Sequence, residues 1–102
     1  MPNNTNEITA VPTVETIRER LRFSTTSHDA EIAEKIEVAK AELSRVGVDA
    51  DSGAPLVSYA VELFCKSAFN FDGNGDAYRS QFEHVRDSMK LTDAYRLEAN
   101  YV

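Results

Sequence analysis

Between residues 32 and 46 the apolar side chains Ile32, Ile36, Ala39, Leu43 and Val46 recur at alternating steps of four and three. That spacing predicts a single apolar stripe along an amphipathic helix of about four turns. Opposite the stripe, Glu31 and Lys35, Glu37 and Lys40, and Glu42 and Arg45 stand at helical pair spacing, which predicts a solvated face laced with charge pairs. The run "STTSHD" is rich in capping residues, so this helix is expected to begin near Ser27 or Asp29. Gly47 is expected to end it, because glycine enters the left-handed conformation that closes many helices at little cost. Upstream, Thr13 is placed to cap "VETIRERL", in which Val14, Ile17 and Leu21 share a face. Glu15 with Arg18, and Glu19 with Arg22, lie three apart on its wet side. Residues 1–11, rich in Asn and Thr and bounded by Pro12, predict a flexible N-terminal arm.

After the loop "VDADSGAP", a third helix is expected from Leu56 to about Phe69, with Pro55 in its first turn. Only Ser58, Glu62 and Lys66 form a polar stripe on it. A helix so apolar around its circumference must be covered on several sides, as the centre of a bundle or partly by a neighbouring subunit. Tyr78, Phe82, Val85 and Met89 then mark the buried face of a fourth helix, from about Asp76 to Lys90. Helical order fades after Leu91, and residues 92–102 read as an extended C-terminal tail. This tail carries Tyr95, Leu97, Tyr101 and Val102. Such anchors predict either a segment that orders on a partner or a frayed terminus. The whole pattern predicts an all-α fold, a small four-helix bundle over residues 12–91 with an arm before it and a tail after it. No internal repeat is present.

A length of 102 residues, 42% hydrophobic and 27% charged, predicts one domain with a modest core. The formal net charge is −6, and the basic residues stand singly among acids. This argues against a general nucleic-acid binder, which needs clustered Lys and Arg to neutralise phosphates. It leaves room for a surface past which DNA moves without being gripped. No apolar run is long enough to span a bilayer. The opening "MPNNTNEITA" lacks the basic residues and apolar stretch of a secretory signal. The single Cys65 fits an intracellular history, in which the sequon at Asn3 would stay unmodified.

The stretch "NFDGNGDAYRSQFE" places Asp72, Asn74, Asp76 and Glu83 at the first, third, fifth and twelfth positions of a calcium-loop spacing. Against a calcium site, Ala77 stands where that loop needs glycine, and a left-handed alanine costs about 1–2 kcal/mol. Arg79 takes the place of the apolar eighth residue, and Tyr78 and Phe82 already belong to the fourth helix's stripe. The favoured reading is an interhelical turn, with Asn74 or Asp76 capping the helix and Gly73 and Gly75 turning the chain. Cys65, set among Leu63, Phe64 and Ala68, reads as a buried structural thiol. His28, near a helix start, and His84, beside Glu83, lack further ligands at zinc spacing. No phosphate loop, nucleophile elbow or acid–base constellation is present. The expectation is therefore a protein with no catalytic residues, cofactor or metal.

Three stretches carry a family likeness. "VETIRERLRF" followed by "HDAEIAEKIEVAKAELSRVGV" gives a short helix, an acidic break and a longer helix ending in glycine. "PLVSYAVELFCKSAFNFDG" gives an apolar third helix, in which Leu63, Phe64, Cys65 and Lys66 lead into an aromatic turn. "AYRSQFEHVRDSMKLTDAYR" gives the last helix and a closing Leu-Thr-x-x-Tyr segment. In order and spacing, over about residues 12–96, they resemble the small head–tail connector proteins of long-tailed DNA bacteriophages.

The resemblance implies a structural virion protein, made in the host cytoplasm and placed at the neck of the particle, with no enzymatic activity. Copies would form a homo-oligomeric ring, a dodecamer, beneath the portal protein. The ring would extend the DNA channel, help retain packaged DNA and dock the next head-completion or tail protein. DNA would pass through the lumen without sequence-specific binding. The tail residues Tyr95, Arg96, Leu97, Tyr101 and Val102 are the implied portal contact. In such a ring the charged face with Glu31, Lys35, Glu42 and Arg45 would suit a polar subunit contact. Two rivals stand beside this reading: a calcium-binding helical regulator using the Asp72–Glu83 loop, and a small acidic helical adaptor or inhibitor of a nucleic-acid enzyme. The second would concentrate carboxylates on one face, whereas here acids and bases interleave.

Overall fold

Thr13 caps the first helix as its position predicts, its Oγ1 accepting a hydrogen bond from the Thr16 N–H at 3.1 Å. The computed structural model describes residues 12–97. Within them run α1 (Val14–Arg20), α2 (Asp29–Arg45), α3 (Pro55–Ala68) and α4 (Gly75–Lys90). Single 3-10 turns at Phe71–Gly73 and Asp93–Tyr95 follow α3 and α4. The expected arm over residues 1–11, and Tyr101 and Val102 of the tail, lie outside the described residues.

α1 and α2 close in the same way. Gly47 at the end of α2 has φ +87°, which lets the Val48 N–H reach back to the Leu43 carbonyl at 3.0 Å. At the end of α1 the equivalent residue is Arg22, at φ +63°, with the Phe23 N–H reaching the Arg18 carbonyl at 3.1 Å. α3 also ends on a left-handed residue, Asn70, at φ 52°. α4 does not: Thr92, the residue after its C-cap, is extended, at φ −116° and ψ 121°.

α3 is the centre of the molecule, lying against α2 on one side and α4 on the other, while α1 packs on α2. Val57, Ala60, Val61, Leu63, Phe64 and Cys65 of α3 are all buried. They meet Ile32, Ile36, Ala39 and Leu43 from α2, Ile17 and Leu21 from α1's side, and Phe82 and Met89 from α4 in one cluster. Phe64 and Phe82 pack edge to face with ring centroids 5.2 Å apart. Of the two ways to cover α3, the chain uses its own helices, leaving Tyr59 as the large exposed apolar residue on α3. A fully buried Val, Leu, Ile, Phe or Met side chain contributes about 1.5–3 kcal/mol, so this cluster is the main source of stability.

The charge pairs depart in part from helical spacing. Glu37 and Glu42 do meet Lys40 and Arg45, at 3.8 and 2.7 Å. Glu31 instead faces His28 Nδ1 at 3.4 Å rather than Lys35. Arg18 turns from Glu15 to α2, with Nε and Nη2 donating to the two carboxylate oxygens of Asp29, each at 3.0 Å. Arg22, beyond the end of α1, lies 4.0 Å from Asp72 instead of pairing with Glu19. A planar fork facing a carboxylate gives geometry as well as attraction, so the Arg18–Asp29 pair fixes how α1 enters α2.

Candidate functional site

The turn from Asn70 to Gly75 is built by residues of positive φ and one side chain. Asn70, Asp72 and Gly73 all have positive φ. Asn70 Oδ1 accepts from the Gly75 N–H at 2.8 Å, satisfying a free donor at the start of α4. The expected cap on Asn74 or Asp76 is thus corrected: Asn74 makes no side-chain cap bond, and Asn70 supplies one from four residues upstream of it. Gly75 serves by lacking a side chain, since a Cβ there would stand 2.7 Å from Asn70 Oδ1 and 3.0 Å from the Ser67 carbonyl. From Gly75 onward the chain is helical, so Asp76 lies in the first turn and Glu83 pairs with Arg79 at 3.2 Å. Among the described residues no group of three or more His, Cys, Asp or Glu side chains is placed to hold a metal ion.

Cys65 is fully buried, and desolvation pushes its thiol up to about 12, with the Glu62 carboxylate adding to the effect. It is held as a neutral thiol at physiological pH, whereas the thiolate is the nucleophile. His28 precedes α2, with its ring 4.4 Å from that of Phe23 and 6.2 Å from that of Phe69. His84 is exposed on α4.

Of the four residues expected at a subunit contact, Glu42 and Arg45 come together near the C-terminal end of α2. The Arg45 hydrogen bond, with the charges of Arg45, Arg79 and Arg86, draws the Glu42 carboxyl below its ordinary range. Glu31 lies eleven residues earlier, roughly 16 Å along the helix at 1.5 Å per residue. Lys35 is half-exposed between them. The four therefore mark a line along α2 rather than one cluster.

The expected partner-docking residues Tyr95, Arg96 and Leu97 form a strap folded back on the chain's own α2–α3 connection. Val48 faces Arg96 in an isolated antiparallel bridge. The Asp49 N–H donates to the Tyr95 carbonyl at 2.8 Å, and the Leu97 N–H donates to the Gly47 carbonyl at 2.9 Å. Tyr95 packs half-buried against the core.

One constellation was not foreseen. Arg20 Nη1 and Lys66 Nζ bind the two carboxylate oxygens of Glu62, at 2.9 and 3.2 Å. Lys66 also lies 5.2 Å from the Phe71 ring centroid and 5.4 Å from that of Tyr78, and Arg22 lies over Phe71 at 5.3 Å. A cation over an aromatic face is attracted by the ring quadrupole. The α3 polar stripe thus folds inward, tying α1 and the α3–α4 turn to the centre. The Glu62–Lys66 spacing was a signal for half of this; nothing local pointed to Arg20.

The described surface thus carries ion pairs, cation–aromatic contacts and one strap paired through its backbone. No described helix is long and apolar enough to cross a membrane. No family model, curated protein or solved structure matches the chain.

Proposed function

We propose that this chain is the subunit of a head–tail connector, a ring that seats beneath a phage portal and carries the DNA channel onward. The observation that carries this reading is the ordered likeness of three stretches spanning residues 12–96 to that protein family. The helical order α1 to α4, with an apolar α3 at the centre, accords with it. So does a net charge of −6, which offers moving DNA no adhesive surface.

A cyclic ring needs two different patches on each subunit that meet head to tail. In this reading the line of Glu31, Lys35, Glu42 and Arg45 along α2 is one patch, and the tail from Tyr95 to Val102 contacts the portal. The next head-completion or tail protein docks on the opposite rim. The test is co-purification with the portal ring encoded in the same genome. The chain is expected to bind it, and binding is expected to weaken at least tenfold when Leu97, Tyr101 and Val102 are all replaced by Ser. Absence of binding by the unaltered chain would overturn the proposal.

A further inference from the structure

We propose that the strap of residues 92–97 is exchanged between copies of this chain. The edge at residues 47–49, which holds its own strap in the closed subunit, holds the strap of a second copy when subunits are crowded together.

Recognition at this edge runs through the main chain. Two backbone hydrogen bonds, Asp49 N–H to Tyr95 O and Leu97 N–H to Gly47 O, flank the Val48–Arg96 bridge. An extended segment added to an edge in this way gains affinity from its backbone and selectivity from its pocketed side chains. Here the fitting segment is already known, because it occupies the edge. The strap of a second copy has the same Tyr95 and makes the same bonds.

The hold on the strap is light. Thr92, Asp93, Ala94 and Arg96 are exposed, Leu97 is half-buried, and Tyr95 packs half-buried on the core cluster. Segments with so few buried contacts open at far lower free energy than the core. The hinge is also built differently from the other helix ends. α1, α2 and α3 turn back through the left-handed residues Arg22, Gly47 and Asn70. α4 leaves through Leu91 at φ −92° and Thr92 at φ −116°, ψ 121°. Swinging the strap outward therefore needs rotation near Thr92 and no reversal of a left-handed turn. Leu91 is 81% exposed at that hinge, so the packing that must be released to move the strap is that of its own side chains, with Tyr95 foremost.

Exchange of identical elements between protomers is a low-cost route to association. Because the bonds are the same within and between chains, the balance follows effective concentration, which for a short connector is on the order of millimolar. A dilute chain closes on itself, and copies held side by side exchange. The inference requires only a second copy of this chain, so it stands or falls apart from the connector proposal.

The test uses Val48→Cys and Arg96→Cys, since residues facing each other in a bridge flanked in this way lie about 4.5 Å apart at Cα, within disulfide reach of roughly 4.4–6.8 Å. Cys65 is buried and does not compete. The two single variants are mixed at about 1 mM, the effective concentration expected of the hinge, and oxidised. A 48–96 disulfide-linked heterodimer is expected, falling at least tenfold in yield on dilution to about 10 μM. The double variant in one chain is expected to close internally at both concentrations. Internal closure of the double variant without any heterodimer at millimolar concentration would overturn the proposal, as would linkage confined to 48–48 or 96–96. If Val48→Cys does not fold, isotope-filtered NMR on an equal mixture of labelled and unlabelled native chains replaces it. Contacts between residues 95–97 of one copy and 47–49 of another are expected at millimolar concentration. Contacts confined to single chains would refute exchange.

Discussion

Cys65 shows how one side chain reports the state of the whole core. In the folded chain its thiol is pushed up to about 12 by burial, whereas in the unfolded chain it titrates near 8.5. Below about pH 8.5 both states keep the proton and stability is undiminished by this group. Above it, the unfolded state loses the proton while the folded state retains it, so stability falls as pH rises toward the folded value. Thermal unfolding followed from pH 7 to pH 10.5 is expected to show a steeper alkaline decline in Tm for the native chain than for Cys65→Ala. The variant starts lower, because it leaves a small cavity, yet loses less as pH rises. Parallel declines would mean that Cys65 is less buried than the packing indicates. A group of the opposite kind is Asp29, which the Arg18 hydrogen bond holds below the ordinary carboxylate range. Its contribution is present above the unfolded value near 3.9 and is lost as pH falls through the folded one.

At the scale of elements, the helix bodies and most of their bounds were legible, and the left-handed closures at Arg22 and Asn70 were not. The stripes Ile32–Ile36–Ala39–Leu43 and Phe82–Met89 are buried as spaced, because four- and three-residue steps leave no other way to hide those side chains along a helix. Gly47 ended α2 for the reason given by its lack of a Cβ. Arg22 and Asn70 end α1 and α3 in the same left-handed region, where propensity rules favour glycine. Arg22 also makes a contact that no local window contains, its guanidinium lying over the Phe71 ring. The Arg20–Glu62 bond spans 42 residues, and the strap pairs with residues 47–49, so neither leaves a periodic trace. Asn70 carries two opposed effects, a strained φ and a bond to the α4 N-terminus. Asn70→Ala keeps the strain and loses the bond, and is expected to cost about 1–2 kcal/mol. Asn70→Gly loses the bond but relieves the strain, and is expected to cost less by about 1 kcal/mol. Urea unfolding of both variants checks this. No loss of stability in Asn70→Ala would remove Asn70 as the cap, and equal losses in the two variants would mean that its positive φ stores no strain.

At the scale of the molecule, the chain covers its own central helix, so a partner is not required to complete the core. What it presents outward is a charged line on α2, isolated exposed apolar residues at Val38, Tyr59 and Leu91, and a lightly held strap. In the connector reading proposed above, these are the features of a subunit that folds first and assembles afterwards, as a ring built at one vertex of a particle would require. The strap also reframes the tail. Its apolar anchors include Tyr95, which already has a place on the subunit's own core, so any partner that takes the strap must compete with that closure. The most direct test of assembly is negative-stain electron microscopy of the purified chain at increasing concentration, alone and with the portal ring encoded in the same genome. The account predicts closed rings with a central opening, appearing alone at high concentration or seated coaxially on the portal. Single subunits under every condition, with bare portals beside them, would contradict it.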